Sequence, residues 1–465
     1  MSAVDAAWLR MDRPTNLMMI VGVVVFDSRV DPGRFRRTLE ERFLSFPRFR
    51  CCAREDTLGA DWVPDEDFDL GHHLVRARLP APAGQDELEA FVSKLASTDF
   101  DRKRPLWQFH FVERFGRGSA AVLRIHHCYA DGMAMIRVFL SLTDAGPGLA
   151  SRPAAARKER RKGAAEDGAA RFEVPGAGLL RQAFAEGTAF VERAAALLQD
   201  PAQTREVARH GLGIAVELAR IAALADDTPP RFKGPLGPRK IAAWTEPLPL
   251  DEVKVLARAL RCTVNDLLLA TAAGALGAYL RQHGEDTDGL SIRAAVPVNL
   301  RDPLAEVTLG NHFGLVFLEL PIGIRDPLER VFAVHAAMTQ LKGSYQPVLT
   351  LGLMAALGRM PASVESAAID LLSAKASAVA TNVPGPRHSL YLAGERIGRL
   401  IFWVPQSGHI GLGLSILSYA GQVQFGLIAD ATRVPDPSTV TAHFAIEFEA
   451  LVLSVLLGPY LEGGR

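Results

Sequence analysis

The sequence predicts an α/β protein built as two α/β sandwich domains joined by a crossover. Three observations carry this expectation. The chain has 465 residues, too many for one small core and enough for two domains. Strand-like and helix-like stretches are mixed in both its first and last parts. Between them the composition shifts after Asp144, where RPAAARKERRKGAAEDG is rich in Ala, Arg and Gly and has no apolar period. The units implied are residues 1–144, a basic linker with crossover helices over residues 145–238, and residues 239–465.

The first unit opens with a β-branched run over residues 18–26, a buried strand. Helical spacing follows over 32–43 and 87–97. LWQFHFVER, residues 106–114, alternates at period two, as a half-buried strand does. The turn Gly116-Arg117-Gly118 leads into a strand over 120–127, and Asp131-Gly132 opens a helix. Two helices are expected over 178–198 and 203–224, then a Pro- and Gly-rich break over 226–238. The last unit repeats the style. Strands are expected over 240–245, 291–298, 313–320, 377–382, 399–404, 411–419 and 422–428. Helices are expected over 250–260, 264–280, 326–342 and 439–457.

The whole chain narrows the function classes. Lys+Arg and Asp+Glu both number 52, so overall charge gives no reason to expect a nucleic acid partner. The four cysteines, at 51, 52, 128 and 262, form no CxxC pair, so neither a zinc ribbon nor a disulfide framework is indicated. A reduced, cytoplasmic setting is expected. The apolar run over 17–26 is too short for a membrane span, and no uncharged apolar stretch of 18 residues stands out. Contact with a membrane is therefore expected to be peripheral.

One motif dominates the functional reading. RIHHCYADGMA places His126 and His127 before Asp131-Gly132. Adjacent strand residues point to opposite faces, so the two histidines do not form a metal pair, and no metal is expected. The simplest reading is a corner whose Asp131 caps the next helix. That explains Asp-Gly but not two histidines at a strand end. His72-His73 serves as a contrast, because Ala77 stands where the second pair has Asp131.

HHxxxDG is the signature of an acyltransferase superfamily that includes chloramphenicol acetyltransferase and nonribosomal peptide condensation domains. The chain resembles one branch in particular, the bacterial wax ester synthase/diacylglycerol acyltransferases. Six further blocks carry the resemblance, in order. They are Asp5-Ala6-Ala7-Trp8, Pro105-Leu106-Trp107, Asn265-Asp266, Pro297-Val298-Asn299-Leu300-Arg301, Gly310-Asn311-His312-Phe313-Gly314 and Thr381-Asn382-Val383-Pro384. Cys128-Tyr129-Ala130 inside the motif and the basic linker depart from the pattern and leave the substrate open.

The resemblance implies two chloramphenicol-acetyltransferase-like domains with a crossover linker and a central tunnel. It implies O-acyl transfer from acyl-CoA, a co-substrate and not a resident cofactor, to a fatty alcohol or diacylglycerol. His127 would be the general base, worth about 10²–10⁴-fold in rate. His126 would face away, Asp131 would support the loop through an Arg, and Gly132 would leave room for substrate. Thr263-Val264-Asn265-Asp266 fits a helix-capping motif, so Asp266 starts a helix. Asn265 can still donate to an oxyanion. Two alternatives stand: an acyltransferase for a specialised metabolite or a carrier-bound acyl group, and a non-catalytic lipid-binding relative.

Cys128 is read as a small buried thiol, because neighbours at a strand end diverge. Arg231, Lys233, Arg239 and Lys240 are a charge-based candidate for the coenzyme A phosphates. The six basic residues of 152–162 are expected either to be solvated or to draw the chain to an anionic membrane or lipid-body surface, at about 1 kcal/mol per cation.

Overall fold

The computed structural model describes residues 1–56, 59–146, 220–221, 223–227, 231–301 and 309–462. The basic segment and the first crossover helix lie outside the described residues, as does nearly all of the second.

The first half contains α1 (Ala3–Arg10), β1 (Met19–Phe26), α2 (Pro32–Thr38), β2 (Cys51–Glu55), β3 (Ala60–Pro64) and β4 (Leu74–Ala77). It continues with α3 (Gln85–Ala96), β5 (Trp107–Phe115), β6 (Gly118–His126) and α4 (Gly132–Leu142). The helical pattern expected over 32–43 is realised as α2 followed by one wider π-helical turn, Leu39–Phe43. The second half begins with β7 (Lys240–Trp244), β8 (Leu248–Pro249), α5 (Leu250–Ala259) and α6 (Val264–Gln282). Then come β9 (Ile292–Asn299), β10 (Phe313–Leu320), α7 (Pro327–Leu341), α8 (Gln346–Leu357) and α9 (Ala362–Ser373). The chain closes with β11 (Ala378–Pro384), β12 (Tyr391–Leu392), β13 (Glu395–Trp403), β14 (Leu412–Tyr419), β15 (Gln422–Asp430) and α10 (Pro437–Glu462).

Two large sheets organise these elements. The first has six strands in the order β12-β13-β1-β6-β5-β4. The second runs β10-β9-β11-β14-β15-β7, with β8 also on β15. The expected strand over 399–404 exists, but it joins the first sheet and not the second. Its register against β1 pairs Val21 with Trp403 and Val24 with Leu400. The reason lies in β1. Its sequence, MIVGVVVF, is apolar on both faces, so it belongs inside a sheet with both edges hydrogen-bonded. β6 fills one edge, with Met19 opposite His126, and β13 fills the other. The halves are therefore interlocked.

A second junction reinforces the first. β7 is an edge strand, and its outward N–H groups would otherwise lie open. Glu89, Ser93 and Ser97 recur every fourth residue along one face of α3 and accept them. Lys240 N donates to Ser97 Oγ at 2.8 Å, Ala242 N to Ser93 Oγ at 2.9 Å, and Trp244 N to Glu89 Oε1 at 3.2 Å.

Among the described residues, one helical stretch has the length and apolarity of a membrane span, Pro437–Leu457 in α10. It lies along α6, burying Val440, Phe444, Phe448 and Leu451. Glu447 within it pairs with the buried Arg330. Ile446, Leu453, Leu456 and Leu457 are left exposed.

Candidate active site

The HHxxxDG corner is fixed one residue at a time. β6 ends at His126, and the next amide, His127 N, donates to Met18 O at 2.7 Å. His126 turns into the first half. Its Nδ1 accepts from Cys128 N at 3.2 Å, and its Nε2 lies 3.1 Å from Asp12 Oδ2. Burial pushes Asp12 up. His126, the Met18 amide and Arg102 outweigh it, and the carboxyl ends below its ordinary range. Tyr129 donates its hydroxyl to Cys51 O at 2.6 Å, pinning the corner to β2.

His127 faces the other way, into a cavity of about 650 Å³ lined by both halves. That is a usual size for a small-molecule site. Trp8 of α1 lies against the imidazole, with ring centroids 4.2 Å apart, and Phe313 meets it edge-on at 5.7 Å. Nδ1 is buried without a hydrogen bond, which leaves Nε2 as the nitrogen open to the cavity. Burial pushes His127 down to about 4, although the nearby Asp131 carboxylate opposes the shift. The ring is therefore neutral near pH 7 and free to accept a proton.

The sign of this shift gives a pH expectation. A base must be unprotonated, so activity is lost only as pH falls through the folded value of about 4. The kcat/KM profile should stay flat through 6.5, the ordinary histidine value, and bend near 4. A bend at 6.5 would mean that the titrating base is not this buried ring. Stability follows the same direction. The unfolded chain takes up the proton first, so the His127 contribution is complete above 6.5 and fades as pH drops towards 4.

Asp131 answers both readings of the motif. Its Oδ1 caps α4 by accepting from Ala134 N at 2.8 Å. Its Oδ2 accepts from Arg301 Nη2 at 2.8 Å and from His312 N at 2.9 Å. The Arg partner therefore lies 170 residues away, just beyond β9. One carboxylate ties the start of α4 to the β9–β10 connection of the other half. Gly132 lines the cavity with open space at its α-carbon.

Asn265 lines the same cavity near the start of α6. Its Oδ1 accepts from Asn382 Nδ2 at 3.0 Å, which turns its own amide NH₂ away from Asn382. Asp266 completes the capping box with Thr263. The rest of the lining is largely apolar, with Met11, Val296, Val298, Leu315, Met354, Ile369 and Phe402 among it. Among the described residues, no three His, Cys, Asp or Glu side chains converge as a metal site requires.

The charge-based candidate for coenzyme A is divided by the structure, which takes up its two lysines and leaves its two arginines at the surface. Lys240 is buried and paired with Asp430 at 2.9 Å, and Lys233 donates its ammonium to Ala374 O. Arg231 and Arg239 are exposed, and none of the four lines the cavity. A basic cluster in sequence became a structural ion pair and surface charge.

Comparison with known proteins now gives this geometry a context. Residues 1–268 match the wax ester synthase/diacylglycerol acyltransferase catalytic domain, and residues 309–452 match the C-terminal domain of the same group. The chain belongs to the wax ester synthase/diacylglycerol acyltransferase family. It is 30% identical over 447 residues to a putative diacylglycerol O-acyltransferase of Mycobacterium bovis, covering 94% of this chain and 92% of that one. A probable diacylglycerol O-acyltransferase of Mycobacterium tuberculosis is similar to the same extent. The wax ester synthase/diacylglycerol acyltransferase of Marinobacter aquaeolei shares the fold, with a TM-score of 0.66 at 20% identity over 97% of this chain and 98% of that one. The first condensation domain of the calcium-dependent antibiotic synthetase shares it at 0.58, with 16% identity over 98% and 95%.

The protein is thus an acyltransferase of the wax ester synthase/diacylglycerol acyltransferase type. The blocks that carried the resemblance largely converge on one place. Asp5 accepts from Asn311 Nδ2 at 2.8 Å, Trp8 packs on His127, and Arg301 grips Asp131. Residues of the Pro297 and Thr381 blocks line the cavity. The PLW block serves the frame instead, with Trp107 buried and donating to Phe49 O at 2.8 Å. Sequence reasoning assigned no role to Asp5, Trp8, Asn311 or Arg301. The spacing of Asp5 and Trp8, one helical turn apart beside an apolar stretch, was the available signal for the first two.

Proposed function

We propose that this acyltransferase moves a fatty acyl group from acyl-CoA to a long-chain alcohol or diacylglycerol, with His127 as general base. The observation that carries the proposal is the placement of the His127 imidazole, its Nδ1 buried and its Nε2 open to a largely apolar cavity, where burial pushes the ring down to about 4. The acceptor hydroxyl gives its proton to Nε2 as its oxygen attacks the thioester carbonyl. The tetrahedral oxyanion accepts from the Asn265 amide, a donor worth about 3–4 kcal/mol when preorganised. Collapse breaks the carbon–sulfur bond, and the imidazolium returns its proton to the coenzyme A thiolate. The products are an ester and free thiol, and His127 is neutral again. Each methylene buried in the apolar lining contributes about 0.8 kcal/mol, roughly fourfold in affinity, which favours long chains.

The same reading places the enzyme in the cytoplasm, resting on a membrane or lipid-body surface that supplies its acceptor. Val364 and Leu371 support the surface contact. They stand seven residues apart on α9 and are exposed, while Ile369 and Leu372 of the same helix line the cavity.

The test is thiol release from palmitoyl-CoA with hexadecanol, dioleoylglycerol or short alcohols as acceptor. Release with the long acceptors supports the proposal. Release with none of them would transfer the reading to a carrier-bound donor or a specialised acceptor.

No acyl-enzyme is needed. Cys128 is wholly buried, and burial pushes its thiol well above the ordinary range, with Asp5 and Asp12 adding to the shift. A protonated thiol is a poor nucleophile. Cys128→Ala should keep most activity, and intact-mass analysis after mixing with acyl-CoA alone should show no adduct. An adduct that vanishes on adding alcohol, and is missing in the variant, would establish a covalent route.

A further inference from the structure

We propose that Asn311 sets the tautomer of His127 by accepting a hydrogen bond from Nδ1–H through its side-chain oxygen. The inference rests on His127 being the base and asks what makes it one.

A neutral imidazole carries its proton on one nitrogen or the other. Only the Nδ1–H form presents a lone pair at Nε2, towards the cavity. The Nε2–H form would point a proton at the acceptor hydroxyl and accept nothing. Some neighbour of Nδ1 must therefore choose.

The orientation of Asn311 follows from its partners. Its Nδ2 lies 2.8 Å from Asp5 Oδ1 and 2.9 Å from the backbone oxygen of His127. Both are acceptors, so the amide nitrogen belongs on that side. A flipped amide would set an oxygen against two oxygens. Asp5 is itself held in place, because Asn311 N also donates to Oδ1, at 3.0 Å. The side-chain oxygen of Asn311 is thereby committed to the opposite direction. There it is buried and has no donor.

His127 Nδ1 is the complementary orphan, buried and without a partner. Buried polar atoms are rarely left unpaired, and this acceptor and this nitrogen belong to residues already joined by a hydrogen bond. One Nδ1–H···Oδ1 bond satisfies both. The Nε2–H tautomer would satisfy neither and would set two lone pairs against each other. The backbone oxygen of His127 keeps a second lone pair that can share the Nδ1 proton, but Asn311 Nδ2 holds that oxygen too, so both acceptors at the ring depend on the same side chain. Asn311 does not line the cavity, so it acts on substrate only through the ring. It is a positioning residue, and Asp5 is its anchor.

The experiment is ¹⁵N NMR of the full chain labelled in histidine, with the His127 signals assigned by their loss in His127→Gln. Above neutral pH the wild type should show Nδ1 protonated and Nε2 bare. Asn311→Leu should populate both tautomers and lower kcat at nearly unchanged KM. The loss should fall between about 10-fold and the ~10⁴-fold that a base in the wrong tautomer costs. Asn311→Asp keeps an oxygen at the ring and adds charge. It should retain the Nδ1–H form and move the acid limb of the rate profile upward. A wild-type ring protonated at Nε2 overturns the proposal. So does a Leu variant with unchanged tautomer and kcat, or an Asp variant whose acid limb does not move. The spectra do not depend on turnover, so failure here is distinct from finding that His127 is not the base.

Discussion

His127→Ala should lower kcat/KM by about 10²–10⁴-fold while the protein stays folded. The ring supplies the one basic nitrogen that the HHxxxDG corner turns towards the cavity, and no neighbour in the motif can replace it. Cys128 is buried and protonated, and His126 is directed at Asp12. The fold should survive because the space left by the ring merges with the existing cavity and does not create a sealed void. His126→Ala should cost less activity, since its ring supports the corner from behind. The measurement is thiol release with both variants, beside melting curves. Turnover near wild type in His127→Ala would end the general-base assignment.

The second large effect is expected at Asp131, and it differs in kind. Its carboxylate accepts three hydrogen bonds, and its ion pair with Arg301 is almost wholly buried. Removing one partner of a buried pair typically costs about 3–5 kcal/mol. Asp131→Ala should therefore lower Tm clearly, and Asp131→Asn less, since it keeps shape but loses charge. Both should lose activity with stability, because the same bonds present His127. Asp131→Ala combined with Arg301→Leu should be less damaged than the sum of the single changes. An inactive Asp131→Asn that melts like the wild type would mean that this carboxylate takes a direct part in the reaction.

Much of this was legible in the chain itself. β1 declares itself by eight apolar residues with β-branching, and β5 by alternation. α6 declares itself by a capping box followed by Leu and Ala. HHxxxDG marks His127, Asp131 and Gly132, which all line the cavity. What stayed hidden depends on contacts far apart in sequence. α8, QPVLTLGLMAAL, has no polar stripe, because one side packs near β10 and another walls the cavity. An apolar helix of that kind carries no period to detect. α1 is short, and the sequence alone does not say that its Trp8 will meet a histidine. Arg301 is one arginine among many until the fold brings it to Asp131. The basic cluster at 231–240 shows the same limit, since its lysines are spent on Asp430 and a backbone carbonyl.

The passage of β13 into the first sheet also limits how this enzyme can move. Many proteins that bind between two lobes admit substrate by swinging the lobes apart about a hinge. Here that swing would unzip a ladder running from Val21–Trp403 to Phe26–Ile397 and expose a doubly apolar strand to water. The Glu89, Ser93 and Ser97 seam along β7 would open as well. The geometry thereby fixes the separation between His127 on one half and Arg301 and Asn265 on the other. Substrates would then have to thread in past side chains and connecting loops without the two halves swinging apart.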